Sequence, residues 1–146
     1  PAELWPVRHR TYVREKNAAI RDGTIAPFSD IEELYSLAEN TTISILSNSP
    51  ETVVETFVES AGLQSIIEYT IGRGPDRAAV EHMKPATAFF ERLDAVAQET
   101  PAVYVGDASS DALFAQRTGM DFLHLDREVG ALRSLAEVST QLDGRV

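Results

Sequence analysis

The sequence predicts an α/β fold in which a parallel sheet carries helices on both faces. Three observations support this. Short β-branched runs alternate with stretches of helical period along most of the chain. The connections between them are short, polar and rich in glycine and proline. A length of 146 residues with 43% hydrophobic and 25% charged side chains supplies one core and hardly two.

The elements follow in order. Val7 to Asp22 sets Val7, Tyr12, Val13, Ala19 and Ile20 among charges, with Gly23 behind it, and predicts an amphipathic helix. Thr24 to Phe28, containing Pro27, breaks it. Ser29 and Glu32 have capping-box spacing, and Ile31, Leu34, Tyr35 and Ala38 form one stripe, so a second helix is expected to end near Asn40. Thr42 to Leu46 then reads as a buried strand and Ser47 to Ser49 as its polar loop. Pro50 suits the first turn of a helix whose face is Val53, Val54, Phe57, Val58 and Ala61, closed by Gly62.

The pattern repeats. Ile66 to Ile71 is a strand, followed by the loop Gly72-Arg73-Gly74-Pro75 and a helix from about Thr87 to Ala97 with Phe89, Phe90, Leu93 and Val96 inward. Ala102 to Val105 is the third strand, followed by Gly106-Asp107 and a helix to about Thr118 that Gly119 ends. Phe122 to Leu125 is the last strand and Ala131 to Leu142 the last helix. No repeat or low-complexity stretch interrupts the series. Ligands of such sheets bind at the carboxyl ends of the strands, which directs attention to Ser47-Asn48, Gly72-Arg73, Gly106-Asp107 and Asp126.

Composition narrows the function. There is no cysteine, which excludes disulfides, thiolate nucleophiles and cysteine-built metal centres. No apolar run nears the roughly 18 residues of a membrane helix, and no basic-then-apolar leader opens the chain, so a cytoplasmic protein is expected. The start at Pro1 points to a processed or trimmed product. The formal charge of −10 repels nucleic acid and anionic membranes, so neither is an expected partner. Only Lys16 and Lys84 are lysines among 13 cations, an acid-rich, lysine-poor balance of halophilic type.

Three short motifs stand on matching elements. Leu46-Ser47-Asn48 closes the first strand, Lys84-Pro85 precedes a helix, and Val105-Gly106-Asp107 closes the third strand with Asp111 a helical turn beyond. In this order, over about residues 27 to 130, the chain resembles the haloacid dehalogenase (HAD) superfamily of phosphohydrolases. The resemblance implies a Rossmann-like core over residues 27–146, with residues 1–26 the remnant of a helical cap domain and its linker. It implies a Mg²⁺-dependent phosphatase of small phosphate esters. Phosphate would be held by Ser47, Asn48 and Lys84, the metal by Asp107, and Asp111 would be either a second metal ligand or the orienter of Lys84. Lys84 and Asp107 would then be the catalytic residues.

The residue types suit those roles. A hydroxyl and backbone N–H groups at a helix start hold phosphate oxygens, a lysine places a compact positive charge on them, and carboxylate oxygens bind Mg²⁺. Each residue also has an ordinary reading: Ser47 as a turn residue, Lys84 as a surface cation, Asp107 as a helix cap. Gly72-Arg73-Gly74 lacks the third glycine of a dinucleotide loop. His82 lies two residues before Lys84, near enough to meet a substrate, whereas His9 and His124 have no ligand spacing.

One motif is missing. The superfamily opens with Asp-x-Asp, whose first carboxylate attacks phosphorus, but here the aspartates are at 22, 30, 76, 94, 107, 111, 121, 126 and 143. No two are two residues apart. Asp22-Gly23-Thr24 copies only the tail of that motif, with Ile20 in the nucleophile's place, and Asp126-Arg127-Glu128 is a carboxylate pair in a permuted position. The strand that would carry the motif, central in the family's sheet, is accordingly expected to be absent. Self-association, or completion by a missing N-terminal segment, is the expected remedy. A catalytically inactive domain that binds phosphate or a partner is the alternative. A receiver-type signalling domain fits less well, because its acidic pair precedes the Ser/Thr and lysine.

A charge of −10 is self-repulsive, and salt screens it. The melting temperature is expected to rise from dilute buffer to molar KCl in calorimetry; an unchanged value would contradict the halophilic reading.

Overall fold

The computed structural model describes residues 4–97, 99, 101–127, 132 and 134–143. Its elements are α1 (Trp5–Arg21), α2 (Glu33–Ala38), β1 (Ile43–Pro50), α3 (Glu51–Ser60), β2 (Ile67–Arg73), a 3-10 helix (Arg77–His82), α4 (Ala88–Val96), β3 (Val103–Gly106), α5 (Ser109–Thr118), β4 (Asp121–His124) and α6 (Leu135–Asp143). The parallel α/β architecture is the predicted one. Among the described residues no helix is long and apolar enough to cross a membrane.

Several boundaries move for physical reasons. β1 runs on through Ser47, Asn48 and Ser49, because its backbone stays paired with β2 as far as Pro50 opposite Arg73, with a register shift after Leu46. Pro50 is therefore the extended residue before α3 rather than part of its first turn, at φ −52° and ψ 136°. The Ser29–Glu32 capping box does not form. Residues 29–32 are turns, Glu32 is the N-cap without a side-chain bond, and buried Leu37 joins the inward face. Val96, expected inside, is 51% exposed. Nothing in the pattern foretold the 3-10 helix, and Ala131, Arg133 and Glu128 lie outside the described residues.

The largest departure is in the sheet. β1 pairs with β2 and β3 with β4, each parallel, and the two couples form separate two-stranded sheets. No ladder joins β1 to β3, the neighbours between which the family's opening strand was expected to be missing. Side chains join the halves instead. One buried cluster draws Leu46 and Ile71 from the first sheet, Phe89 and Leu93 from α4, and Phe114 and Ala115 from α5, with Tyr104 and Phe122 of the second sheet packed against it. A second cluster, Val54, Val58, Leu63 and Ile67, takes in Ile31, Leu34, Ile43 and Ile45.

β1 and α3 fit closely around Gly72. A Cβ there would lie 2.7 Å from Glu51 Cα and 2.8 Å from the Ser49 carbonyl oxygen, so only glycine lets β2 pass beneath the β1–α3 corner.

A latch just beyond the end of β4 fixes the last helix. Arg127 donates to both oxygens of Asp30 at 2.9 Å, and the Leu135 N–H at the start of α6 donates to Oδ2, also at 2.9 Å. The Arg127 guanidinium lies 4.0 Å over the Phe28 ring. The hydrogen bond from Arg127 holds the Asp30 carboxyl below its ordinary 3.8, overcoming partial burial, which acts the other way. A carboxyl lowered on folding stabilises at pH values above its unfolded pKa, and that contribution is lost as pH falls into the acid range. Asp30→Asn is expected to cost about 1 kcal/mol at neutral pH, roughly 3 °C in melting temperature. The difference from the parent should shrink on acidification below the ordinary carboxylate range, as urea denaturation at several pH values would measure.

Candidate functional site

The carboxyl ends of β1 and β3 meet at Lys84, which is carried on the segment between the 3-10 helix and α4. Asn48 fixes that segment. Its Oδ1 accepts the Lys84 N–H at 2.7 Å and its Nδ2 donates to the Lys84 carbonyl at 3.2 Å, a two-point clamp on one residue's backbone. The Lys84–Pro85 peptide bond is cis. The lysine ammonium then reaches inward, donating to Asp111 Oδ1 at 2.8 Å and to the Tyr104 hydroxyl oxygen. Both charged side chains of the pair are 9% exposed, so the charges are desolvated and depend on each other.

Asp111 stands in the first turn of α5, where helix N–H groups favour an anion. Its Oδ2 accepts the Asp107 N–H at 3.2 Å and the Ala108 N–H at 3.1 Å. Burial pushes this carboxyl up, but the Lys84 hydrogen bond and the two N–H groups outweigh it and leave it below its ordinary range. Gly106 makes room for it, since a Cβ at that position would lie 2.6 Å from Asp111 Oδ2. The Tyr104 hydroxyl is 3.2 Å from the Leu46 carbonyl and 3.4 Å from Asp111 Oδ1. Burial first, and then the Asp111 carboxylate, push the phenol well above its ordinary pKa, so it stays protonated.

The residues singled out from sequence divide into two groups. Lys84, Asn48, Asp111 and the Asp107 backbone form one hydrogen-bonded knot at the strand ends. Ser47 adjoins it, with its Oγ accepting the Ser49 N–H at 3.1 Å, which leaves the hydroxyl proton free to donate. Lys84 also keeps one of its three N–H donors. The Asp107 carboxylate is exposed and has no hydrogen-bond or ion-pair partner among the described residues. Elsewhere, Arg73 lies against Trp5, His82 ends the 3-10 helix in an exposed position, and Asp126 hydrogen-bonds the Leu132 carbonyl through its N–H. His124 contacts the Asp107 carbonyl at 3.2 Å. Tyr104 is the knot member that the sequence reading passed over. A phenol in a buried strand two residues before Gly-Asp was the available signal.

Whether Mg²⁺ suits these residues turns on free oxygens. Both Asp111 oxygens are engaged, which fits the orienter of Lys84 better than a metal ligand. Among the described residues there is no cluster of three or more His, Cys, Asp or Glu. Asp107 remains as one hard, unengaged carboxylate, enough for a cation that takes its other ligands from water and phosphate oxygens.

Comparison with known proteins supports the same neighbourhood of folds. The model of a family described as haloacid dehalogenase-like hydrolase matches residues 3–125. No curated protein matches the chain.

Removing one member of the buried pair strands the other. Asp111→Ala is expected to destabilise the chain by about 3 kcal/mol, because Lys84 is left buried without its partner. Chemical denaturation would measure this, and a loss below about 1 kcal/mol would mean that water reaches the ammonium as at a surface pair.

Proposed function

Because the chain belongs to the haloacid dehalogenase-like hydrolase family, we propose that its strand-end knot is the phosphate-binding part of a site for small phosphate esters. Lys84 carries the reading: a lysine ammonium held at 2.8 Å by a buried carboxylate, with a donor to spare, is an oriented positive charge at the carboxyl ends of the strands. Its remaining N–H and the Ser47 hydroxyl donate to phosphoryl oxygens. Asn48 and Asp111 are positioning residues, the first fixing the lysine's backbone and the second its ammonium. Tyr104, protonated and bonded to the same ammonium, keeps the lysine from swinging into the core.

Mg²⁺ is the cofactor this reading assigns, with Asp107 as its protein ligand; when bound it neutralises phosphate charge beside Lys84. In a chain of formal charge −10, a phosphate dianion meets net repulsion until local cations offset it. Hydrolysis by covalent catalysis needs an attacking carboxylate, and the 146 residues contain no Asp-x-Asp. That absence favours a second reading, in which the chain binds phosphate groups without turning them over.

Hydrolysis of an aryl phosphate, measured with Mg²⁺ and with EDTA beside Asp107→Ala, separates the two. Magnesium-dependent turnover lost in the variant supports the hydrolase. Absence of turnover, with Mg²⁺-enhanced phosphate binding that Asp107→Ala weakens about tenfold or more, supports the binding domain. Absence of both turnover and binding overturns the site itself.

A further inference from the structure

A second cluster of cations lies where α1 meets the end of β2, and the proposed function makes no use of it. α1 brings Trp5, His9 and Arg10 to a recess of 330 Å³ whose other wall is Pro75, Asp76 and Arg77. The Trp5 indole N–H donates to the Pro75 carbonyl at 2.7 Å and ties the two walls together. Arg73, the last residue of β2, lies against the same indole with its guanidinium carbon 5.4 Å from the ring centroid. His9 stacks beside that ring at 6.4 Å.

Two buried polar atoms here are unmatched. Arg73 Nη1 is buried and makes no hydrogen bond, and His9 Nδ1 is buried without a partner as well. Buried donors are nearly always satisfied, and leaving one unmade is costly. Neither Arg10, Arg73 nor Arg77 has an ion-pair partner within 4.0 Å among the described residues. Arg10 and Arg77 line the recess with Asp76, and Arg73 adds a third guanidinium beside the indole; Asp76, and Glu81 in the adjoining recess that shares Trp5 and Arg77, are both exposed, which leaves one positive charge in excess. Burial, and then the charge of Arg73, keep His9 below its ordinary pKa against the opposing charge of Asp76.

We propose that this recess is an oxyanion-binding site, taking a phosphate or carboxylate group on Arg73, Arg77 and Arg10 beside Trp5. Guanidinium groups suit planar and tetrahedral oxyanions because they donate in pairs. An oxyanion satisfies the orphaned Arg73 donor, and the proline and indole surfaces give the apolar part of a small molecule somewhere to rest. The site is distinct from Ser47: Arg73 pairs in register with Pro50, three residues beyond Ser47 on β1 and past the shift in register that follows Leu46. It stands whether or not the Lys84 knot binds phosphate.

Trp5 is the sole tryptophan, so its fluorescence reports on the surroundings of this one side chain, far from Lys84 in the sequence. Inorganic phosphate is titrated into the chain at constant ionic strength, with chloride as the matched control and calorimetry as a second readout. A saturable change absent in chloride is expected. Arg73→Gln and Arg77→Gln should each weaken the fluorescence response about tenfold, whereas Ser47→Ala should leave that fluorescence response unchanged. Arg77 is exposed, so its variant tests the site even if Arg73→Gln perturbs folding. Silence in both readouts, equal effects of chloride, indifference to both arginine variants, or loss of the fluorescence response in Ser47→Ala would each overturn the proposal. A bifunctional ester whose fluorescence response requires Ser47, while free phosphate does not, would identify the recess as a subsite for a second anionic group.

Discussion

The buried pair of Lys84 and Asp111 is the interaction around which the sheet ends are arranged. A desolvated ammonium demands a carboxylate, and the carboxylate demands donors for its second oxygen, which the first turn of α5 provides. That requirement makes residue 106 a glycine, because the carboxylate occupies the space a side chain would need. The lysine reaches the pair only if its own backbone is held, and the Asn48 amide does this with both of its polar atoms. One electrostatic constraint thus fixes residues from β1, the segment before α4, the end of β3 and the start of α5.

The same constraint explains which parts of the site could be read from sequence. Lys84, Asp107 and Asp111 stand out because few residue types can do their work, and their spacing follows from a strand end and one helical turn. The elements were legible for a similar reason, since period and turn residues are local. What failed is nonlocal. Asp30, with no role in the sequence reading, has as its partners Arg127 and the Leu135 N–H, near the far end of the chain. Ser47 to Pro50 looked like a loop, but pairing with β2 keeps them extended. Arg73 stood at a predicted ligand position, yet its indole neighbour comes from the first turn of α1, a contact no local pattern encodes.

Charge is distributed in the same economical way. The chain is acidic as a whole, yet cations cluster at the strand ends: Lys84 where β1 and β3 meet, and Arg73 at the end of β2. Such local reversals matter more for ligands than net charge does, because the field near a partly buried cation is screened less than the field of a solvated surface.

The division of the sheet has a consequence for how the molecule comes apart. Two ladders joined by no backbone-to-backbone hydrogen bond could open one at a time, yet both contribute to a single apolar cluster in which Phe114 and Ala115 are wholly buried. Separating the ladders would expose that cluster to water, so cooperativity here resides in side-chain contact and not in the backbone network. Amide protons of β1 and β3 therefore owe their protection from exchange less to their own hydrogen bonds than to α4 and α5 staying seated, and the two strand pairs should open as one unit.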